Sequence, residues 1–197
     1  MAKERLGTPR ARLFVALDLP EEIRAAIVAW QGGALEDPAL RPMRPESLHL
    51  TLVFLGYHPE KEIDEIASAA LIPRVKTPEL TLRAEPVGVP RGRHPRLFAL
   101  DAESPAAVAL QGRVSDSLRA AGFYEPEKRP FWPHLTVARV RPEKRGSKRP
   151  ARVETPPKPL PPGFEHTFGS DRLTLYRSHL RPQGAEYEPL AQLELKP

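Results

Sequence analysis

Residues 48–56 read Leu-His-Leu-Thr-Leu-Val-Phe-Leu-Gly, and residues 133–139 read Pro-His-Leu-Thr-Val-Ala-Arg. Leu, Val and Phe in this pattern are typical of strands. Because side chains two residues apart on a strand point to the same face, the histidine and the threonine of each copy share a face. Leu50, Leu52 and Phe54 take the opposite face of the first strand and are predicted to enter the core. The four polar residues are His49, Thr51, His134 and Thr136.

A second pair of similar segments gives these two copies more weight. Residues 12–18 read Arg-Leu-Phe-Val-Ala-Leu-Asp, and residues 96–101 repeat them with one residue deleted. Each is followed by a proline and a helix-like run, so each half reads as a strand, a helix and then the strand that carries the His-x-Thr motif. We call the two strands that carry this motif the histidine strands. A single His-x-Thr is an ordinary half-exposed pair, but two copies in a duplicated half-domain favour a functional site. A pseudo-twofold axis between the halves would bring both histidine strands to one cleft.

The remaining segments set the fold class. The first helix is predicted to begin after Pro20 and to end at the glycine pair of residues 32–33. The last part of the chain predicts a hairpin of residues 168–178 and 187–195. The predicted fold class is α+β, with mostly antiparallel strands and one or two helices in each lobe.

Composition narrows the class of protein. At 197 residues we expect a single domain over residues 11–195, preceded by a flexible lead of residues 1–10. The absence of cysteine excludes disulfides, thiolate nucleophiles and Cys-ligated zinc. No stretch approaches the ~20 apolar residues of a spanning helix, so we expect a cytoplasmic protein with no membrane partner. A net charge of +5 suits a polyanionic partner.

A basic segment follows the second histidine strand. Residues 139–152 carry seven lysines and arginines against one glutamate, and a basic, proline-rich loop is predicted over residues 141–160. Such a run is usually a solvated mobile loop. The functional alternative is a contact with RNA phosphates.

The paired motifs resemble those of the two-histidine (2H) phosphoesterase superfamily. Within it, residues 45–56 and 133–139 resemble the bacterial and archaeal RNA 2′,3′-cyclic phosphodiesterases, also called 2′-5′ RNA ligases. Residues 173–178 and 184–187 resemble the end of the same family, so the resemblance covers roughly residues 11–195. It implies a bilobal fold of two mostly antiparallel sheets, with helices on the outside and a central cleft.

The resemblance also implies roles for five residues. His49 and His134 are implied to be catalytic, and Thr51, Thr136 and Arg139 to bind the phosphate. Arg139 lies five residues after His134, which is the opposite face of a regular strand. A bulge, turn or strand end would have to redirect it into the site.

Two imidazoles and two hydroxyls suit acid–base chemistry on a phosphodiester. An imidazole has a pKa of about 6.5, so near neutrality one of a pair can take a proton while the other gives one. The hydroxyls and a guanidinium can stabilise charge on the phosphoryl oxygens. Neither motif carries a carboxylate at ligand spacing, so we expect no metal and no cofactor. The resemblance suggests that His49 protonates O3′ and that His134 activates water.

The leading hypothesis is an enzyme that opens RNA 2′,3′-cyclic phosphate ends to 2′-phosphates. The resemblance also implies reversible 2′-5′ joining of RNA, with tRNA halves as candidate partners. One alternative is a catalytically silent RNA-binding module, although binding alone does not need two titrating groups. Another is a phosphodiesterase for small cyclic nucleotides or ADP-ribose cyclic phosphate. A monomer is expected.

Overall fold

The computed structural model describes residues 8–73, 75–92, 94–164, 166–181 and 184–195. The predicted lead lies outside these ranges over residues 1–7, and its last residue, Arg10, begins the first strand. Within the described ranges, no helix is both long and apolar enough to span a membrane. The strands are β1 Arg10–Asp18, β2 Leu40–Pro42, β3 His49–Pro59, β4 Glu79–Leu82, β5 Val87–Val89, β6 Leu97–Glu103, β7 His134–Val140, β8 Thr167–Gly169, β9 Arg172–Arg181 and β10 Gly184–Glu194, and the α-helices are α1 Glu21–Ala34, α2 Ile63–Ala70 and α3 Pro105–Ala120.

The strands form two sheets, and every pairing between these strands is antiparallel. The first sheet has the order β10-β9-β1-β3, and the second has the order β2-β7-β6-β4-β8, with β5 paired to β6. The expectation of an α+β fold built on two mostly antiparallel sheets is confirmed. Each histidine strand pairs with the first strand of its own half, which places Asp18 opposite His49 and Asp101 opposite His134. The two copies of the sequence repeat therefore pair their strands in the same register, with the aspartate of one strand opposite the histidine of the other.

Helix α1 packs its apolar face on the core. Acidic residues occupy its first turn, where they favour the positive end of the helix dipole. The helix runs through Gly32 and Gly33 to Ala34, so the expectation that this pair ends it was wrong. Neither glycine has a positive φ, and Ala34 is itself buried, so burial of the last turn outweighs the weak propensity of glycine. The buried apolar residues of α1 are Ile23, Ile27, Trp30 and Ala34.

Each histidine strand contains an extra residue directly after its threonine, and β3 has a second one at Leu55, between the partners of Leu13 and Phe14. Val15 pairs with Val53 and Ala16 with Thr51, so the residue between the two partners has no counterpart and forms a bulge. The bulge inverts the alternation of the strand, and residues 52 and 53 are both buried. Phe54, predicted to enter the core, is therefore 43% exposed on the same side as the histidine.

The second histidine strand has the same irregularity. Phe98 pairs with Ala138 and Ala99 with Thr136, which leaves Val137 as the extra residue. Val137 and Ala138 are both buried, and Arg139, next along the chain, is exposed. This bulge turns Arg139 to the same face of the strand as His134, which a regular strand would not do.

The end of the chain departs from the predicted hairpin. Residues 168–178 were expected to form one strand, but β8 ends at Gly169 and β9 begins at Arg172. The hydroxyl of Ser170 donates to the backbone oxygen of Asp18 at 2.8 Å and holds the chain at this break. β8 joins the second sheet and β9 joins the first, so the chain passes from one sheet to the other here.

The predicted loop of residues 141–160 has two parts. The basic part projects as an exposed arm closed by a bridge between Pro142 and Pro150. The proline-rich part is tied down at both ends: the carboxylate of Asp37 accepts the N–H groups of residues 154 and 155 at 2.7 and 2.9 Å, and the N–H of Leu160 donates to the oxygen of Ala84 at 2.9 Å. We call residues 152–160 the strap.

The core should be sensitive to truncation at its centre. Leu100 is fully buried, so Leu100→Ala should lower the free energy of unfolding by about 2–5 kcal/mol through lost burial and a residual cavity. Leu180 is 63% exposed, so Leu180→Ala should change it by less than about 0.5 kcal/mol. Urea unfolding of both variants measures this. Equal effects of the two substitutions would contradict the assignment of the core.

Candidate active site

A small cavity lies where the two histidine strands approach each other. Its volume is about 80 Å³, which is room for a group of a few heavy atoms, since one water occupies about 30 Å³ of liquid. All five residues singled out in the sequence line it, and they come from β3 and β7. The lining residues are Met43, Ser47, His49, Thr51, His134, Thr136, Arg139 and Tyr187. We call it the His–Thr cavity.

His49 is packed among aromatic rings. Its ring lies 4.9 Å from that of Phe14 at 30°, and 5.1 Å from that of Tyr187 at 81°. The ring of Tyr176 in turn stacks on that of Phe14, with 5.1 Å between centroids. His49 Nδ1 is buried and has no hydrogen-bond partner among the described residues. A neutral ring with its proton on Nε2 avoids a buried N–H without an acceptor, so Nε2 is the donor nitrogen of the neutral His49 ring.

The surroundings of His49 favour its neutral form. Burial lowers the pKa of His49 to about 3, and the positive charges of Arg24 and Arg139 contribute to this lowering. In the protein alone His49 is therefore neutral at pH 7. A bound anion would offset the part of this lowering of the pKa that the two arginine charges cause.

His134 is held in a different way. Its Nδ1 lies 2.8 Å from the backbone oxygen of Trp132, so Nδ1 is the donor of this hydrogen bond. Its ring stacks on that of Trp132, 4.4 Å between centroids at 14°. A neutral His134 thus has its proton on Nδ1 and offers the lone pair of Nε2 for chemistry. The two imidazoles present opposite hydrogen-bonding characters, a donor from His49 and an acceptor from His134.

The comparison with known proteins identifies the family. The sequence model of the 2′-5′ RNA ligase superfamily matches residues 19–182. The chain belongs to this superfamily.

Curated relatives and solved structures agree with this family. The chain is 31% identical over 186 residues to the RNA 2′,3′-cyclic phosphodiesterase of Escherichia coli K12, covering 93% of this chain and 96% of the relative. It is 33% identical over 192 residues to the one from Thermus thermophilus, covering 94% and 90%. The crystal structure of TT0787 of Thermus thermophilus superposes with a TM-score of 0.75 at 30% identity, covering 94% of this chain and 98% of that one. E. coli LigT complexed with 3′-AMP gives a TM-score of 0.70 at 27% identity, covering 95% and 99%.

A buried carboxylate supports the His49 side of the cavity in this member of the superfamily. Asp18, opposite His49 in the sheet, is 3% exposed. Its two oxygens accept hydrogen bonds from the Thr174 hydroxyl at 2.8 Å and the Tyr176 hydroxyl at 2.7 Å. Burial and the hydrogen bond to Asp18 raise the pKa of Tyr176, which keeps it a donor. Sequence reasoning missed this network, although an aspartate ends both copies of the first-strand repeat.

Arg24 fixes the approach to the first histidine strand. Its guanidinium donates to the backbone oxygens of Leu19 at 3.2 Å, Pro45 at 2.6 Å and Leu48 at 3.4 Å. These bonds tie the start of α1 to the turn that precedes His49. Arg24 also carries one of the charges that keep His49 neutral. In the sequence it reads only as a polar position on a helix, so sequence reasoning missed it.

Two larger cavities extend the site. One, of about 400 Å³, shares His49, Thr51 and Arg139 with the His–Thr cavity. The other, of about 410 Å³, shares Thr51 and His134 and is lined by aromatic residues. Among the described residues, no group of three or more His, Asp or Glu could hold a metal ion. The 400 Å³ cavity is also lined by Arg12, Arg41, Phe54 and Arg181, and the 410 Å³ cavity by Tyr124, Phe131 and Trp132.

The lowered pKa of His49 predicts a pH dependence of stability. Between about pH 6.5, the ordinary histidine pKa, and about pH 3, the value in the folded protein, the unfolded chain binds a proton at His49 that the folded protein does not. The free energy of unfolding should therefore fall as the pH falls through this window, with a contribution of a few kcal/mol from His49, since one pKa unit is worth about 1.4 kcal/mol.

Urea unfolding at several pH values, with His49→Asn as the comparison, measures this contribution. The variant should lose less stability between about pH 6.5 and pH 4 than the parent does, because its residue 49 cannot titrate. Parallel curves for the two proteins would show that His49 is not held neutral by the fold.

Proposed function

We propose that this protein is an RNA 2′,3′-cyclic phosphodiesterase that opens cyclic phosphate ends to 2′-phosphates. The observation that carries the proposal is the convergence of two imidazoles, two hydroxyls and one guanidinium on one cavity of about 80 Å³. Relatives named for this activity align over nearly the whole chain. A silent RNA-binding module would have no use for two imidazoles of opposite hydrogen-bonding character.

The reaction breaks the bond between phosphorus and O3′. Water attacks phosphorus in line with this bond, loses a proton to one imidazole, and O3′ receives a proton from the other. Water adds across the ring, so the products are a 2′-phosphate and a free 3′-hydroxyl. The two histidines come from different sheets, which suits attack and departure on opposite sides of phosphorus.

Hydrogen bonding supports a division of labour between the histidines. We assign water activation to His134, because the bond from Nδ1 to Trp132 leaves the Nε2 lone pair as the base. We assign protonation of O3′ to His49, the other imidazole that lines the His–Thr cavity, which acts as an acid in its imidazolium form with protons on both nitrogens. We propose that the negative charge of the bound phosphate offsets Arg24 and Arg139 and stabilises the imidazolium form of His49 against the effect of burial.

The phosphoryl oxygens are stabilised from both strands. We propose that Thr51 and Thr136 each donate a hydrogen bond, and that Arg139 makes the charged contact, for which a planar guanidinium is well suited. Phe54 occupies the position of Arg139 in the first half, five residues after the histidine. The cation is thus supplied by β7, and we propose that the anionic oxygens turn toward it. All of these groups are side chains of the protein, so the mechanism needs no metal.

Removal of either imidazole should abolish most of the activity. His49→Ala and His134→Ala should each lower kcat/KM on an oligonucleotide with a 2′,3′-cyclic phosphate end by about 10²–10⁴-fold. Thr51→Ala and Thr136→Ala should lower it by about tenfold or more, because each removes one hydrogen bond to a charged group.

The assay is run in EDTA, and the product isomer is identified. Thr81→Ala, which removes a threonine hydroxyl bonded to Thr167 at 3.0 Å, is the matched control and should keep full activity. Loss of the parent activity in EDTA, restored by zinc, would overturn the metal-free mechanism.

The two roles can be separated by the leaving group. A substrate whose 3′ leaving group needs no proton should restore turnover to His49→Ala, because it bypasses the acid. The same substrate should not rescue His134→Ala, which lacks the base. Single-turnover rates of both variants on the two substrates measure this. Rescue of His134→Ala alone would reverse the assignment, and equal rescue of both would refute it.

A second candidate activity is the reverse joining of RNA ends through a 2′-5′ bond. The observation that favours it is the pair of large cavities, one shared with His49 and the other with His134, which gives room for two RNA ends at the same phosphorus. The exposed basic arm suits contacts with longer RNA. Assay with tRNA halves tests this. The monomeric state, the cytoplasmic location and the single domain over residues 11–195 stay predictions.

A further inference from the structure

Two arginines stand directly opposite each other beside the His–Thr cavity. Arg41 of β2 pairs in register with Arg139 of β7. Side chains at such positions have Cβ atoms about 4.5–5.5 Å apart, and like charges placed there destabilise a sheet. Burial, with the charges of Arg139, Arg141 and Arg44, lowers the pKa of Arg41. The sheet therefore places several arginine side chains close together at this point, beside the His–Thr cavity.

The fold holds Arg41 in this place. Its guanidinium lies over Gly184, with Nη2 and Nη1 only 3.1 and 3.3 Å from where a Cβ would stand. Gly184 also has a φ of +121°, a conformation that favours glycine. A side chain at this position would displace the guanidinium. Arg41 thereby forms a wall common to the 400 Å³ cavity and to another of about 200 Å³.

These two cavities are strongly positive. Both share Arg139 and Tyr187 with the His–Thr cavity, so both lie beside it. Arg12 lines the larger one, held by a 3.0 Å hydrogen bond to Ser178 and stacked over the ring of Phe54 at 4.5 Å. None of the described residues that line either cavity is an aspartate or a glutamate. Phosphate-binding sites are usually concave, contain several arginines and have no carboxylate in their walls.

We propose that Arg41, with Arg12 beside it, binds the phosphate that precedes the terminal nucleoside of the substrate. This deepens the proposed function and rests on it. The reacting cyclic phosphate occupies the His–Thr cavity, and the neighbouring phosphate on the 5′ side of the same nucleoside reaches Arg41. The enzyme is then specific for chain ends, because a cyclic mononucleotide without a 5′-phosphate leaves this subsite empty.

Two substrates that differ by one phosphate test the proposal. They are adenosine 2′,3′-cyclic phosphate and the same compound with a 5′-phosphate. The parent protein should show a higher kcat/KM on the second by about tenfold to a hundredfold, the worth of hydrogen bonds to a charged group. Arg41→Gln should remove most of this advantage, and Arg41→Lys, which keeps the charge without the planar fork, should remove part of it.

Arg141→Gln is the matched control. Arg141 adds to the charge around Arg41 but donates to the oxygen of Pro38 at 3.2 Å and lines neither of the two cavities. Its neutralisation should leave the ratio between the two substrates unchanged. An equal loss on both substrates in Arg41→Gln would overturn the proposal and make Arg41 a support for Arg139. The absence of any advantage in the parent protein would overturn it as well.

A binding measurement separates this proposal from the proposed activity. Calorimetry compares adenosine 2′-phosphate with adenosine 2′,5′-bisphosphate, the products of the two substrates, on the parent protein and on Arg41→Gln. Tighter binding of the bisphosphate by about tenfold or more, lost in the variant, supports the subsite even if the parent turns over neither substrate. Equal affinity for the two products overturns the subsite whatever the activity.

Discussion

A bulge directly after the threonine of each histidine strand decides which side chains the cavity contains. In a regular strand the residue five positions after a histidine points to the opposite face. The bulges at Leu52 and Val137 invert this alternation, so two consecutive residues enter the core and the next turns outward. Arg139 comes to the face of His134 in this way, and Phe54 to the face of His49. The core keeps its continuous apolar layer, while each strand gains a third side chain at the cleft.

The two halves share a backbone plan and differ in side chains. His49 lies among Phe14 and Tyr187, with a buried nitrogen that no described residue contacts through a hydrogen bond. His134 donates to a carbonyl and stacks on Trp132. If the two imidazoles had identical surroundings, neither would be favoured as the general acid or as the general base. The proposed assignment of one histidine as acid and the other as base rests on their unequal surroundings, because the repeated motif itself does not distinguish them.

The sequence predicted the fold class and the two strands that carry the motif, because strand periodicity is visible in neighbouring residues and the repeat is visible when the two halves are compared. The place of Phe54 was predicted wrongly, since a bulge leaves no mark in the alternation of a single strand. The break at Ser170 was missed for a similar reason: it depends on Asp18, far away in the chain. Asp18, Arg24 and Tyr176 act through contacts of this long-range kind. The roles proposed for the two histidines, the two threonines and Arg139 stay predictions, although the structure gathers all five at one cavity.

The strap has a consequence for how a ligand meets this protein. It is held at one end by Asp37, which follows helix α1, and at the other by Ala84, which follows β4 of the second sheet. Its prolines narrow the conformations open to the chain before folding, so fixing it costs less entropy. The strap therefore resists movement of the end of helix α1 away from the end of β4. Any conformational change on ligand binding that separates these two segments would first have to break the hydrogen bonds that anchor the strap.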